Sequence, residues 1–172
     1  VFGESAGAMS IGVLLGMPTT RGLFAKAILE SGAAAHTLDL ATATATTNKL
    51  MHELGIADGS IDALQALPVD RLMEASAALG AASRDLLIFQ PVVDGVVLPR
   101  PPLESVADGS ASGVSLLLGT NHDEMNLYVV FDPNLAGLTE DGVLAKAVTL
   151  VGQANAPQLV AGYRATRPAV SY

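Results

Sequence analysis

The chain has 172 residues, of which 50% are hydrophobic and 15% are charged, a composition typical of a globular domain rather than a disordered segment. Its formal net charge of −8 disfavours nucleic acid or anionic lipid as a partner, because both bind basic patches. The absence of cysteine excludes disulfides, thiol chemistry and cysteine-type zinc sites, and by default the expected compartment is the cytosol. We also expect no membrane span, since no apolar run approaches about 18 residues.

The first predicted elements are the end of a strand, a helix and a second strand. Val1 and Phe2 are hydrophobic, as expected at the end of a buried strand. Residues 6–17 are small and apolar and predict a helix, which a proline and a glycine bound. Residues 25–32, AKAILESG, predict a buried strand that closes with a Ser-Gly turn.

A helical segment follows these strands. Residues 39–54 predict a helix with Asp39 as its N-cap and Gly55 as its stop. Further helices are predicted at 60–67 and 69–80, because a proline separates the two patterns.

The second half of the chain adds one clear strand and three helices. Residues 89–99 predict two short β-prone pieces around an Asp-Gly turn, and residues 99–102 a stiff polyproline connector. Residues 114–120, VSLLLGT, are continuously apolar, as expected for a parallel strand that is covered on both faces. The remaining helices are predicted at 122–131, 139–152 (with Thr139 as N-cap) and 156–166. The predicted class is therefore α/β with a largely parallel sheet, although two convincing strands make an incomplete architecture.

Residues 3–7, Gly-Glu-Ser-Ala-Gly, match the G-x-S-x-G pattern of a nucleophile elbow, in which a serine stands on a strained strand-to-helix turn. We expect Gly3 and Gly7 to remove side chains that would collide with the neighbouring strand and helix. The helix N-terminus would favour a developing oxyanion, to which Ala6 would offer its backbone N–H. The alternative is a simple Gly-Ser-Gly turn leading into an ordinary helix.

A catalytic serine needs a base, and the base needs an orienting acid. Asp123 and Glu124 follow the strand at 114–120 closely, in a loop where open α/β sheets place their sites, although capping the next helix is the commoner use of such a carboxylate. The spacing leaves both acids open. No histidine follows the acid at a distance that permits a return to Ser5, so His36, His52 and His122 are predicted to be non-catalytic and the base to be missing.

Four blocks in this order resemble the type-B carboxylesterases, the cholinesterase and para-nitrobenzyl-esterase group of the α/β-hydrolases: VFGESAGAMS, MPTTRGLFAKAILESGA, FQPVVDGVVLP and LLLGTNHDE. The resemblance implies that Ser5 is the acyl-accepting nucleophile and Ala6 an oxyanion-hole donor. It also implies that Glu124, rather than Asp123, is the triad acid, and it implies no metal and no cofactor.

The resemblance implies a functional role for two further residues, each of which also has a purely structural explanation. Ser31 matches a serine that supports the acid and base by hydrogen bonding, and otherwise belongs to a strand-ending turn. Glu4 matches an acidic position that shapes the field at the site, and otherwise is a carboxylate at a helix start.

The resemblance also implies that the chain is a partial α/β-hydrolase domain. The family's Gly-rich oxyanion segment and its catalytic histidine, together with any N-terminal signal, are expected to lie outside these residues, so we expect the fragment alone to be inactive. The predicted parts are 1–35 (elbow, helix and strand), 36–88 (helical insert), 89–131 (strand and acid loop) and 132–172 (helical region).

The function that the resemblance implies is hydrolysis of a small-molecule carboxylic ester through a serine acyl-enzyme. The alternative is a catalytically silent, cholinesterase-like binding or adhesion module. Such relatives commonly lose the nucleophile, whereas this chain keeps Ser5 and Glu124 together.

Overall fold

The computed structural model describes residues 1–57, 59–83, 87–124, 126–131, 135 and 137–167, so parts of the predicted segments 36–88 and 132–172 lie outside the described residues. The chain forms two compact units, Val1–Thr120 and Asn121–Tyr172. The first unit contains β1 (Phe2–Glu4), α1 (Ala6–Gly16), β2 (Lys26–Glu30), β3 (Leu38–Asp39), α2 (Leu40–Leu54), α3 (Ile61–Gln65), α4 (Val69–Ser83), β4 (Val92–Val93), α5 (Pro102–Ala107) and β5 (Ser115–Gly119). The second contains α6 (Asn126–Phe131), α7 (Glu140–Val151) and α8 (Ala156–Thr166).

The main sheet is parallel and has the strand order β1-β2-β5. One row of the register joins Phe2, Ile28 and Leu117, and the row at the carboxyl end joins Glu4, Glu30 and Gly119. The predicted α/β class with a parallel sheet is therefore confirmed. The crossover from β1 to β2 passes through α1, as parallel strands require.

Helix α1 covers one face of this sheet. Strand side chains alternate between faces, so Ala27 and Leu29 of β2 are buried while their neighbours on β2 are exposed. The helix also packs closely against two neighbouring segments, because a Cβ on Gly12 would lie 2.7 Å from the carbonyl carbon of Ala33 in the loop after β2, and one on Gly16 would lie 2.7 Å from the Cα of Pro102 at the start of α5. The buried cluster consists of Ala8, Ile11, Leu15, Ala27, Leu29 and Ala111.

Strand β5 is parallel, as predicted, but is not covered as predicted. It pairs with β2, and all five of its residues are exposed. Of the described elements, only β2 packs closely against it, since α1 lies on β1 and β2. The expectation of burial on both faces was drawn from the apolar run alone and is wrong for the described part of the chain.

Helix α2 begins and ends as its sequence predicts. The Asp39 carboxylate accepts hydrogen bonds from the amide and the hydroxyl of Thr42, at 2.8 and 2.9 Å, and so caps the first turn. Gly55 stops the helix in the left-handed conformation, with φ of 70°. Helix α4 packs against α2, and a short parallel pairing of β3 with β4 lies beside them.

The segment after β4 differs from its prediction. Gly95 has a φ of 78° and confirms the Asp-Gly turn, but the second β-prone piece is not a strand. The Asp94 carboxylate instead accepts the amides of Val96, Val97 and Leu98, each at 2.9 Å, which supplies these N–H groups with a side-chain acceptor. The predicted polyproline connector also ends earlier, because its last proline is the first residue of α5.

The second unit is helical, as predicted. Thr139 caps α7 by accepting the Gly142 amide at 3.2 Å, and α7 packs against α8. Helix α6 begins at Asn126 rather than at the predicted residue 122, and Met125 lies outside the described residues. No described helix of either unit is long and apolar enough to cross a membrane.

Asp94 provides a pH-dependent contribution to stability. Hydrogen bonds from the amide of Val96, and then from those of Leu98 and Val97, hold the pKa of Asp94 below its usual range. Because the folded pKa is the lower one, the stabilisation is complete above the unfolded pKa and is lost as the pH falls through the folded pKa, below about pH 4. We therefore expect Asp94→Ala to lower the free energy of unfolding at pH 7 and to flatten its fall in acid.

Urea unfolding of the protein expressed from its native gene, repeated from pH 7 to pH 3, measures this effect. Asp94→Asn is the matched control, since it keeps an oxygen acceptor without the charge. It should lose the same pH dependence with a smaller loss at pH 7. An Asp94→Ala variant with the wild-type acid slope would contradict the assignment.

Candidate active site

Ser5 occupies a single-residue turn between β1 and α1. Its φ of 49° and ψ of −114° are unusual for a residue with a side chain, and such conformations cost on the order of 1–3 kcal/mol. The turn is held from both sides, because the Ser5 amide donates to the Glu30 carbonyl at 2.8 Å and the Ser5 carbonyl accepts the Met9 amide at 2.9 Å. The Ser5 hydroxyl does not cap α1, so it is not committed to holding the helix.

The two glycines of the motif differ in whether their positions have space for a side chain. A Cβ on Gly3 would lie 2.5 Å from the carbonyl carbon of Gly7, so Gly3 is required by the close approach of strand and helix, as predicted. A Cβ on Gly7 would meet no atom within 4 Å among the described residues. The expectation that Gly7 avoids a collision is therefore wrong for the described part of the chain.

The first amides of α1 lie beside Ser5. The Ala6 N–H belongs to the first turn of the helix, whose amides have no acceptor within the helix. No acidic residue lies in that turn to neutralise the positive end of the helix dipole. This end of the helix can therefore stabilise a negative charge that forms near the Ser5 hydroxyl.

A second strained serine lies beside the first. Strand β2 ends at Glu30, and Ser31 follows with a φ of 55°, its amide donating to the Gly119 carbonyl at 2.8 Å. The predicted Ser-Gly turn is confirmed, and its Gly32 lies against the Ser5 carbonyl. Sequence reasoning did not single out Gly32. A signal was present, since β1 and β2 both end in a glutamate that a serine follows.

Two carboxylates lie at the carboxyl ends of β1 and β2. Glu4 and Glu30 are directly opposite each other in the parallel register, and both are exposed. Neighbouring residues on paired strands project from the same face of a sheet. The edge that carries Ser5 is therefore negatively charged, which disfavours anionic ligands.

The predicted acid loop belongs to the second unit. Glu124 is half-buried, and its Oε2 accepts the Asn121 amide at 2.8 Å, which fixes the carboxylate within its own turn. Asp123 instead contacts His122, with 3.1 Å between Oδ1 and Nδ1, and both side chains are largely exposed, at 69% and 89%. The two acids that the spacing left open thus differ in environment, and Glu124 is the more fixed.

The other two histidines lie in the first unit. His36 is half-buried in the segment after β2, and His52 is exposed on α2, on the solvated face where the sequence placed it. Among the described residues, no group of three His, Asp or Glu side chains could hold a metal ion.

Comparison with known proteins supports one family. The model of the carboxylesterase family matches residues 1–155. The para-nitrobenzyl esterase of Bacillus subtilis (strain 168) is 43% identical over 137 residues, which are 78% of this chain and 27% of that protein. A solved carboxylesterase of Geobacillus stearothermophilus is similar with a TM-score of 0.73 at 39% identity, over 88% of this chain and 32% of its own. A solved thermophilic PNB esterase is similar with a TM-score of 0.77 at 38% identity, over 95% of this chain and 34% of its own.

The parallel sheet, its flanking helices and the likeness to these solved esterases define an α/β-hydrolase fold. The chain belongs to the carboxylesterase family, which confirms the resemblance drawn from the four sequence blocks. It spans 27% of the length of the Bacillus subtilis relative. The roles of Ser5, Ala6 and Glu124 stay predictions.

The contrast between the two motif glycines is testable. We expect Gly3→Ala to lower the free energy of unfolding by about 1–3 kcal/mol, because the new Cβ overlaps the start of α1. Gly7→Ala should leave stability unchanged or raise it, since alanine favours a helix by up to about 1 kcal/mol over glycine. Denaturant unfolding of the two variants measures the difference, and equal losses would contradict this account of the turn.

Proposed function

We propose that this chain carries the nucleophile of a carboxylic ester hydrolase that works through a serine acyl-enzyme. The observation that carries the proposal is the strained Ser5 at the N-terminus of α1, with its hydroxyl uncommitted to the helix. Family membership supports the same chemistry, since the named relatives are esterases.

The proposed reaction has two halves. In the first, the Ser5 Oγ attacks the carbonyl carbon of a small-molecule ester while a base takes the hydroxyl proton. The carbonyl oxygen becomes an oxyanion that the Ala6 N–H and the positive end of α1 stabilise. Collapse of this intermediate expels the alcohol, to which the base returns the proton. In the second half, water attacks the acyl-enzyme, releases the carboxylic acid and restores the Ser5 hydroxyl.

We propose Glu124 as the acid that orients the base. The family resemblance supports this role, and so does the fixed, half-buried carboxylate that accepts the Asn121 amide. For the base we propose a histidine outside these 172 residues. His122 is largely exposed and its Nδ1 lies against Asp123, while His36 and His52 precede the acid in the chain. The 172 residues alone are then expected to show no triad catalysis.

Covalent labelling tests the nucleophile. A fluorophosphonate probe should label the protein expressed from its native gene at Ser5, because such probes trap activated serine hydroxyls. Ser5→Ala should abolish both labelling and turnover of a para-nitrophenyl ester. Ser112→Ala, which removes an exposed serine away from the turn, is the control and should label normally.

Peptide mapping by mass spectrometry locates the label. A label on another serine would refute the role of Ser5. An intact protein that takes no label would favour the alternative function, the catalytically silent binding module.

The neighbouring acids provide a matched pair for the second test. Glu124→Gln removes the charge that orients the base, and we expect kcat to fall by about 10³-fold or more. Asp123→Asn makes the same chemical change one residue away, and kcat should stay within about tenfold of wild type. Steady-state kinetics distinguishes the two, and a larger loss for Asp123→Asn would reverse the assignment.

A further inference from the structure

The turn after β2 lies directly against the peptide group that joins Ser5 to Ala6. A Cβ built on Gly32 would lie 2.6 Å from the Ser5 carbonyl oxygen, closer than real Cβ atoms come to a non-bonded heavy atom. Gly32 does not have a left-handed backbone, so its conformation does not require glycine. The space beside Ser5 is what excludes a side chain at this position.

The geometry of a peptide group links this contact to Ala6. The Ser5–Ala6 peptide bond is trans, so its C=O and its N–H point in opposite directions within one plane. The carbonyl oxygen accepts the Met9 amide at 2.9 Å and lies against Gly32. The Ala6 N–H therefore points away from Gly32. A rotation of the plane that relieves pressure on the oxygen turns the N–H through the same angle.

The turn cannot easily move aside. The Ser31 amide donates to the Gly119 carbonyl at 2.8 Å, which continues the pairing of β2 with β5 beyond the end of the strand. The Ser5 amide donates to the Glu30 carbonyl at 2.8 Å, which ties the two turns to each other. Added volume at position 32 would therefore act on the Ser5–Ala6 peptide group.

We propose that Gly32 is a positioning residue for oxyanion stabilisation, since its lack of a side chain sets the direction of the Ala6 N–H. This inference rests on the proposed function, in which the Ala6 amide receives the oxyanion. Gly32 touches neither substrate nor reacting atoms and acts through the Ser5–Ala6 peptide group alone.

The test is Gly32→Ala in the protein expressed from its native gene. Removing one oxyanion donor costs about 10²–10³ in kcat, and a tilted donor should cost part of that, about 10–100-fold. KM should change by less than about threefold, because the ground-state ester makes little use of this N–H. The affinity for a trifluoromethyl ketone, which forms a tetrahedral adduct with the serine, should fall by the same factor as kcat/KM.

Gly12→Ala is the matched control. Its Cβ would lie 2.7 Å from the carbonyl carbon of Ala33, in the loop that contains Gly32, without lying against the Ser5 oxygen. We expect a comparable loss of thermal stability and a kcat within about threefold of wild type. Equal losses of kcat in the two variants would overturn the proposal, because they would show a general structural effect.

A double variant separates the peptide contact from crowding by the Met9 side chain. The Cβ of Gly32→Ala would also lie 3.1 Å from both the Ala8 Cβ and the Met9 Cγ, and adding Met9→Ala removes the contact with Met9 while the Ser5 oxygen stays in place. The proposal expects kcat to stay low in the double variant. Recovery of kcat would overturn it. A failure of both variants to fold would also overturn it, since the absence of a side chain at position 32 would then be required for folding rather than for the direction of the Ala6 N–H.

Activity of the wild-type protein distinguishes a failure of the positioning role from a failure of the proposed function. A wild type that hydrolyses esters through Ser5, with Gly32→Ala fully active, overturns the positioning role alone. A wild type with no Ser5-dependent turnover overturns the proposed function and this inference together.

Discussion

The hydrogen bond from the Ser5 amide to the Glu30 carbonyl joins a strained turn to a parallel sheet, and the arrangement of the site depends on it. The chain changes from strand to helix within one residue, at a positive φ that a serine adopts only under constraint. Such a short turn brings α1 so close to β1 that Gly3 can carry no side chain. The Ser5 hydroxyl and the Ala6 amide are consequently placed at the same helix end.

The packing of α1 supplies the stabilisation that offsets this strain. The apolar side of the helix lies on the buried Ala27 and Leu29 of β2, while Gly12 and Gly16 permit close contact with the loop at Ala33 and with the start of α5 at Pro102. Burial of apolar surface contributes roughly 25 cal/mol per Å², which opposes the cost of the one unfavourable residue. The burial of α1 on β2 therefore keeps the helix N-terminus at the edge where both strands end.

Local signals predicted much of this structure, and long-range contacts account for the rest. The caps Asp39 and Thr139 and the stop at Gly55 can be read from a few adjacent residues, and the helices begin and end there as expected. The motif around Ser5 can likewise be recognised from a few adjacent residues, and it predicted the change from strand to helix there. The contact of Gly32 with the Ser5 carbonyl depends on the pairing of β1 with β2, which no local pattern encodes. The exposure of β5 likewise depends on which elements lie against it, and its apolar run could not reveal that.

A crystal structure of the protein expressed from its native gene, after reaction with a phosphonate ester, would show which residue is the nucleophile and which amide receives the oxyanion. We expect phosphorus bonded to the Ser5 Oγ, with the phosphoryl oxygen about 2.7–3.1 Å from the Ala6 nitrogen and Ser5 still at a positive φ. An adduct on another residue, or an Ala6 amide directed away from the phosphoryl oxygen, would contradict it.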